Sequence, residues 1–455
     1  MEKCNKKTIA MAIGLVFVLG FTLVVGCTQT QAKSTTAETQ ITSGDEAKTS
    51  ATEVETSKSS SSAAAEPVTL SFLNLNPESG PAVNEIVADF MAENPNIIIK
   101  HEYMNSRQYD QKIQNLAAAK NLPDILTVQM FTQYRQMAKE GLLMDLRDTD
   151  IIKSGRFLDS ALTALKLEDG NVFGTTWDMM GVGAFYNIDM FDKAGLSIPK
   201  TWDEFVNVCE TFKAKGITPI ISALGDDWTS MYIVQSLVTN IAYANNPNYD
   251  ADFVSGKEKF NSESWIKTFE IIKGIYDKGY FGDNPMGGKY EQSLADFANG
   301  KAAMQIIGNW VIPVYREDNP NLKLGFFPVP FTQYTNDLHA VFESELGMGI
   351  AANSKYKTEA LKFFDYFYSK KPYEKFLMGK KSFTALNDVS VPFDDSAKYM
   401  TENYVSTGKM YPYISRQWPI GEDLLMYKMF QEIMLGSKTT DAALNEMDKY
   451  YAENK

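Results

Sequence analysis

Three times between Pro67 and Gly141 the chain repeats one pattern: a short apolar run, a break, then an amphipathic stretch. Val68, Leu70, Phe72 and Leu75 make the first run, Ile97–Tyr103 the second and 122–128 the third. After the first, Pro81 suits an opening helical turn, where its missing N–H has no partner to lose. Val83, Ile86, Val87, Phe90 and Met91 then share one face, and Asn94-Pro95-Asn96 ends the helix. Further helices are expected over 109–120 and 132–140, the latter closed by Gly141. Strands that alternate with helices run the same way, because each helix carries the chain back along the sheet. The pattern therefore predicts an α/β fold with a mainly parallel sheet.

A second unit spans 183–212. A strand through Ala184, Phe185 and Tyr186 ends at Asn187, and a helical turn runs through Phe191 and Lys193. Gly195 stands where a helix end wants a positive φ, and Pro199 blocks continuation. Thr201 and Glu204 have capping-box spacing, and Trp202, Phe205, Val206, Cys209 and Phe212 follow on one helical face. The wording Y-N-x-x-x-F-x-K-A-G-L-x-x-P-K-T-W-D-E-F resembles the family 1 extracellular solute-binding proteins, relatives of the maltose-binding protein. F-x-x-G-K-A-A-M-x-x-x-G-x-W, from Phe297 to Trp310, is a second such phrase. The P-D-I strand at Pro123 and the terminal D-A-A-L-N-E-M-D-K-Y-Y agree with it.

The resemblance covers the chain from about Pro67 onward and implies two α/β lobes around a ligand cleft, with three crossings between them. On that basis 67–180 and 331–390 form lobe 1, and 181–330 and 391–455 form lobe 2. The second crossing is expected at 326–330 and the third near Val391.

The N-terminus carries an address. Lys3, Lys6 and Lys7 precede an apolar run over 9–25, followed by Val24-Val25-Gly26-Cys27. This resembles a lipoprotein signal, so 1–26 is read as a signal peptide and Cys27 as the lipidated residue, tied to the membrane by its acyl chains. An uncleaved anchor is the alternative. Residues 27–66 are mostly Thr, Ser, Ala, Glu, Gln and Lys, too polar to bury a core, and read as a tether. A long tether behind a lipidated cysteine suits the outer face of a Gram-positive cell membrane. With Cys4 removed and Cys27 lipidated, Cys209 has no partner for a disulfide, and its place on the apolar stripe argues for a buried thiol.

Catalytic patterns are sparse. The two histidines, His101 and His339, fit no zinc spacing, and no nucleophile elbow or P-loop is present. Asn246, Asn248, Asp250 and Asp252 alternate like a calcium loop, but Ala251 and Lys257 replace the glycine and glutamate it needs, leaving a polar surface turn. Asp226-Asp227 and Glu343-x-Glu345 are the carboxylates a glycan hydrolase or lyase would need. A net charge of −13 argues against nucleic acid as the partner, since phosphate binding needs basic patches.

A sugar cleft needs flat rings for the C–H faces of pyranoses and Asp, Glu, Asn, Gln or Arg for the hydroxyls. Open α/β sheets place ligands beyond the C-terminal ends of strands. That selects Asn74 and Glu78, Gln129 and Phe131, and Trp177 and Asp178; Glu345, from the carboxylate pair above, is a further candidate for hydroxyl recognition. The resemblance adds Asp227 and Trp228, Trp310, and Trp418 with Arg416 beside it. It implies a sugar or oligosaccharide ligand, permease subunits of an ABC transporter as partners and no cofactor. A sensory subunit reporting to a membrane kinase would carry the same sequence features.

Overall fold

The computed structural model describes residues 67–455, apart from 76, 130, 131, 168, 169, 345 and 420. The signal segment, Cys27, the tether, Phe131 and Glu345 lie outside the described residues.

Two sheets organise the chain. The first has the order β2-β1-β3-β10-β4, with β1 Val68–Asn74, β2 Ile97–Tyr103, β3 Ile125–Gln129, β4 Thr175–Thr176 and β10 Leu346–Ile350. β1 runs parallel to β2, from Val68 opposite Ile97 to Asn74 opposite Tyr103, and parallel to β3. The helix Gly80–Glu93 makes the first return. Pro81 lies in its first turn, and Val83, Ile86, Val87 and Phe90 are buried against the sheet. Met91, expected on that stripe, is only half-buried at its edge. β10 lies between β3 and β4, antiparallel to both, and β4 forms the far edge.

The second sheet is mixed. β5 (Met180–Asn187) is its centre and is buried along nearly its whole length. β7 (Ala302–Gly308) lies antiparallel on one edge and is paired in parallel with β6 (Thr218–Ile221). β9 (Ala340–Glu343) and β8 (Leu324–Phe327) share the other edge, β9 beside Met180–Val182 and β8 beside Ala184–Asn187. β11 (Met410–Tyr411) completes it beside β9. Gly183 is required here: a Cβ would come within 2.5 Å of the Phe327 carbonyl oxygen.

The unit at 183–212 forms as its residues dictate. Asn187 caps the helix Ile188–Ala194, Gly195 follows with φ 68°, and Thr201 and Glu204 make both halves of a capping box. The helix Trp202–Ala214 buries Phe205, Val208, Cys209 and Phe212. Burial raises the Cys209 thiol far above its usual range, which leaves it inert as a nucleophile.

One lobe boundary is corrected. β9 pairs with β5, Glu343 lying opposite Met180, so the chain stays with the second sheet through Glu343 and reaches the first only at Leu346. The proline-rich run at 328–330 ends β8 without carrying the chain across, because the next strand, β9, pairs with β5 of the same sheet. The first crossing lies between β4 and β5. The hydroxyls of Thr176 and Ser344 bond each other where the first and second crossings run side by side. The third falls between Asn387, whose N–H donates to the Arg156 carbonyl of lobe 1, and Asp394, which accepts from Arg316 of lobe 2 at 3.1 Å.

Candidate aromatic cleft

The end of β7 positions the site. Gly308-Asn309-Trp310 turns the indole back over the strand, so a Cβ on Gly308 would overlap the Trp310 ring, 1.6 Å from its nearest atom. The Asn309 side chain accepts from the Gly181 N–H at 2.7 Å, tying this turn to the start of β5. Tyr232, on the helix Ser230–Asn245, packs against Trp310 at 4.7 Å between centroids and meets Trp228 edge-on at 5.8 Å. Trp228 in turn meets Tyr290 edge-on at 4.8 Å. Four rings thus form one wall, and Trp228 keeps part of its surface open to solvent.

Two loops hold that wall. The Asp226 carboxylate accepts from the Tyr290 N–H at 2.8 Å and pairs with Lys289 at 3.1 Å. The Gly225 N–H donates to the Gly288 carbonyl. Asp226 is therefore committed to starting the helix Tyr290–Ala298, whereas Asp227 is exposed.

The opposite side comes from the first lobe. The Tyr290 hydroxyl accepts from Trp310 Nε1 at 3.1 Å and donates to Glu78 Oε1 at 3.2 Å. Burial holds the Glu78 carboxyl above its usual range, opposed by the Tyr290 bond and by Lys380. Burial and the Glu78 charge hold the Tyr290 phenol well above its own range, so it stays a donor. Further along, Gln129 donates to Asp110 at 2.7 Å. Burial raises the Asp110 carboxyl, and Asp423 of the second lobe adds to this.

The expected site residues divide. Glu78, Trp228 and Trp310 come together in this cluster, and Gln129 faces the gap through Asp110. Asn74 does not join them: fully buried, it accepts from Thr127 Oγ1 and lies 3.3 Å from His101 Nε2. Trp177 and Asp178 serve the crossing between lobes instead. The indole is buried beside Phe367 and Phe376, and the carboxylate pairs at 2.7 Å with Lys380, neither side chain showing any exposed surface. Trp418 is sunk between Phe260 and Trp265, at 5.3 and 5.8 Å. Arg416 is bonded to Asp250, and its carbonyl accepts from Arg135 of the first lobe.

Sequence reasoning missed Tyr232 and Tyr290 as members of the wall. Tyr232 follows Trp228 by four residues, a helical spacing that was open to reading. Tyr290 carries no local signal. Glu343, weighed above as a catalytic carboxylate, is buried at the end of β9. Its Oε1 accepts from the Ser344 N–H at 3.0 Å, and burial pushes its pKa up to about 7. The calcium-like stretch, which includes the short helix Tyr249–Val254, has its polar groups committed to protein partners: Asn246 donates to Asp252 and Glu258, Lys257 pairs with Asp252, and Asp250 accepts from Tyr243 and Arg416.

Two sheets joined by three crossings, with an aromatic wall on one facing a carboxylate on the other, define a two-lobe binding protein. The chain belongs to the bacterial extracellular solute-binding proteins, whose family model matches residues 75–374. It is 26% identical over 366 residues to the multiple sugar-binding protein of Streptococcus mutans, covering 78% of this chain and 84% of that one. Among solved structures, a chitin oligosaccharide binding protein superposes with a TM-score of 0.75 at 25% identity, over 85% of this chain and 99% of that chain. The raffinose complex of the binding protein RafE gives 0.73 at 24% identity, with the same coverages, and speaks for the fold.

Proposed function

We propose that this protein captures a sugar or oligosaccharide between its lobes and delivers it to the permease of an ABC importer. Lipid on Cys27 would hold it at the outer face of a Gram-positive cell membrane. The observation that carries the reading is the wall of Trp228, Tyr232, Trp310 and Tyr290 opposite Glu78. Rings suit the C–H faces of a pyranose, and a half-buried carboxylate suits its hydroxyls. The printed names of the Streptococcus relative and of the chitin oligosaccharide binding protein support a sugar as the solute. Ligand bridging two lobes stabilises the closed arrangement by its extra contacts there. A binding role is supported by Asp226 and Glu343, two of the four carboxylates weighed for hydrolysis, which accept from the Tyr290 and Ser344 N–H groups within the fold.

Isothermal titration calorimetry of the full chain against mono- and oligosaccharides tests this. A saturable heat with one sugar per chain, the sugar recovered unchanged, is the expected result. Absence of heat across neutral sugars, or recovery of cleaved sugar, would contradict it.

A further inference from the structure

We propose that Tyr290 is an interlobe latch: its hydroxyl links Trp310 of the second lobe to Glu78 of the first and favours a closed cleft without ligand. The chain of bonds has one direction. Trp310 Nε1–H can only donate, so the Tyr290 oxygen accepts from it, and the Tyr290 O–H is left to donate to Glu78. Both ends of the interlobe bond are protein groups, so its formation needs no ligand atom.

The parts are stiff. Tyr290 opens its helix with its N–H on Asp226, its ring edge-on to Trp228 and its oxygen on Trp310. Glu78 lies two residues before the helix Gly80–Glu93, and Gly80 lies so close to the Tyr103 ring that a Cβ would come within 2.8 Å of it. Lobe opening carries Glu78 away from Tyr290, and a bond of 3.2 Å does not survive such a separation, so opening breaks it. A hydrogen bond to a carboxylate is strong enough to change an open-to-closed ratio by about tenfold to a hundredfold. Arg135, bonded to the Arg416 carbonyl, makes a second direct bond between lobes, so losing the latch shifts the balance toward open without making closure impossible. The latch needs the two lobes and no particular solute.

Hydrogen exchange of the full chain, with no sugar added, tests it on Tyr290→Phe, Glu78→Ala and the double variant. Phe keeps the ring against Trp228 and removes only the hydroxyl. A latch predicts about tenfold faster exchange in the cleft-facing segments of both lobes for either single variant, and no further change in the double. Glu78→Gln, whose amide oxygen still accepts, should move exchange less than Glu78→Ala. Faster exchange confined to the loop that carries the substitution, or effects that add in the double variant, would overturn the proposal. A failed sugar titration leaves this experiment untouched, so the two readings fail separately.

Discussion

Trp228 and Trp418 both belong to the second lobe, and both have the sequence context of a cleft tryptophan, yet their surroundings differ in kind. Trp228 is half-buried and adjoins Tyr232 and Tyr290, the latter bonded across the gap to Glu78. Trp418 is 4% exposed and wedged against Phe260 and Trp265. The cause lies one turn away. Arg416 is pinned to Asp250, which turns the following indole inward, while Asp226 holds the Trp228 loop against the Tyr290 helix and leaves a face open. A tryptophan at the right place in a chain becomes a ligand surface only when its neighbours are anchored so as to leave it uncovered.

The contrast breaks if the two rings can be exchanged in role. Trp418→Ala removes a packed core ring and should cost about 3–5 kcal/mol of stability in denaturant unfolding, with sugar affinity of the folded protein little changed. Lys380→Met strands the Asp178 carboxylate at the crossing, where both side chains have no exposed surface. Breaking such a pair costs about 3–5 kcal/mol, and the loss should appear in the same unfolding experiment. Trp228→Ala should do the reverse of Trp418→Ala: a loss of about 2 kcal/mol in calorimetric binding, some thirtyfold in Kd, with stability nearly kept.

A smaller effect should appear through pH. Glu422, buried near Trp418 at the start of the helix Glu422–Met434, has its pKa pushed from an ordinary 4.5 up to about 8 by burial, with Asp448 and Asp423 adding to this. Between those values the folded protein holds a proton that the unfolded chain has released. Stability therefore falls as pH rises from 4.5 toward 8, and then levels off. Glu422→Gln should flatten that slope and gain about 1–3 kcal/mol at pH 9 relative to the parent, with little difference at pH 4, as read from unfolding midpoints.

Much of the fold was legible because its signals are local. Pro81, the Thr201–Glu204 box, Gly195 and the apolar faces of the early helices each act within a few residues, and the elements formed where they point. β9 was not legible. Three apolar residues and a glutamate fit either lobe, and only pairing with β5, far away in sequence, assigns them. The site shows the same divide. Trp310 belongs to a phrase whose Gly308 has a local task, leaving room for the indole two residues on, so it could be found. Tyr290 acquires meaning from Glu78, 212 residues away, and Asp178 loses its role in the cleft to Lys380, 202 residues away. Pairings of that separation leave no trace in spacing or composition.

The most direct test is intrinsic fluorescence of the full chain, titrated with a panel of mono- and oligosaccharides, for the parent, Trp228→Phe and Trp418→Phe. The account predicts a saturable change that survives in Trp418→Phe and is weakened or lost in Trp228→Phe. A change that vanishes with Trp418 and persists without Trp228 would contradict it, as would no change in any of the three.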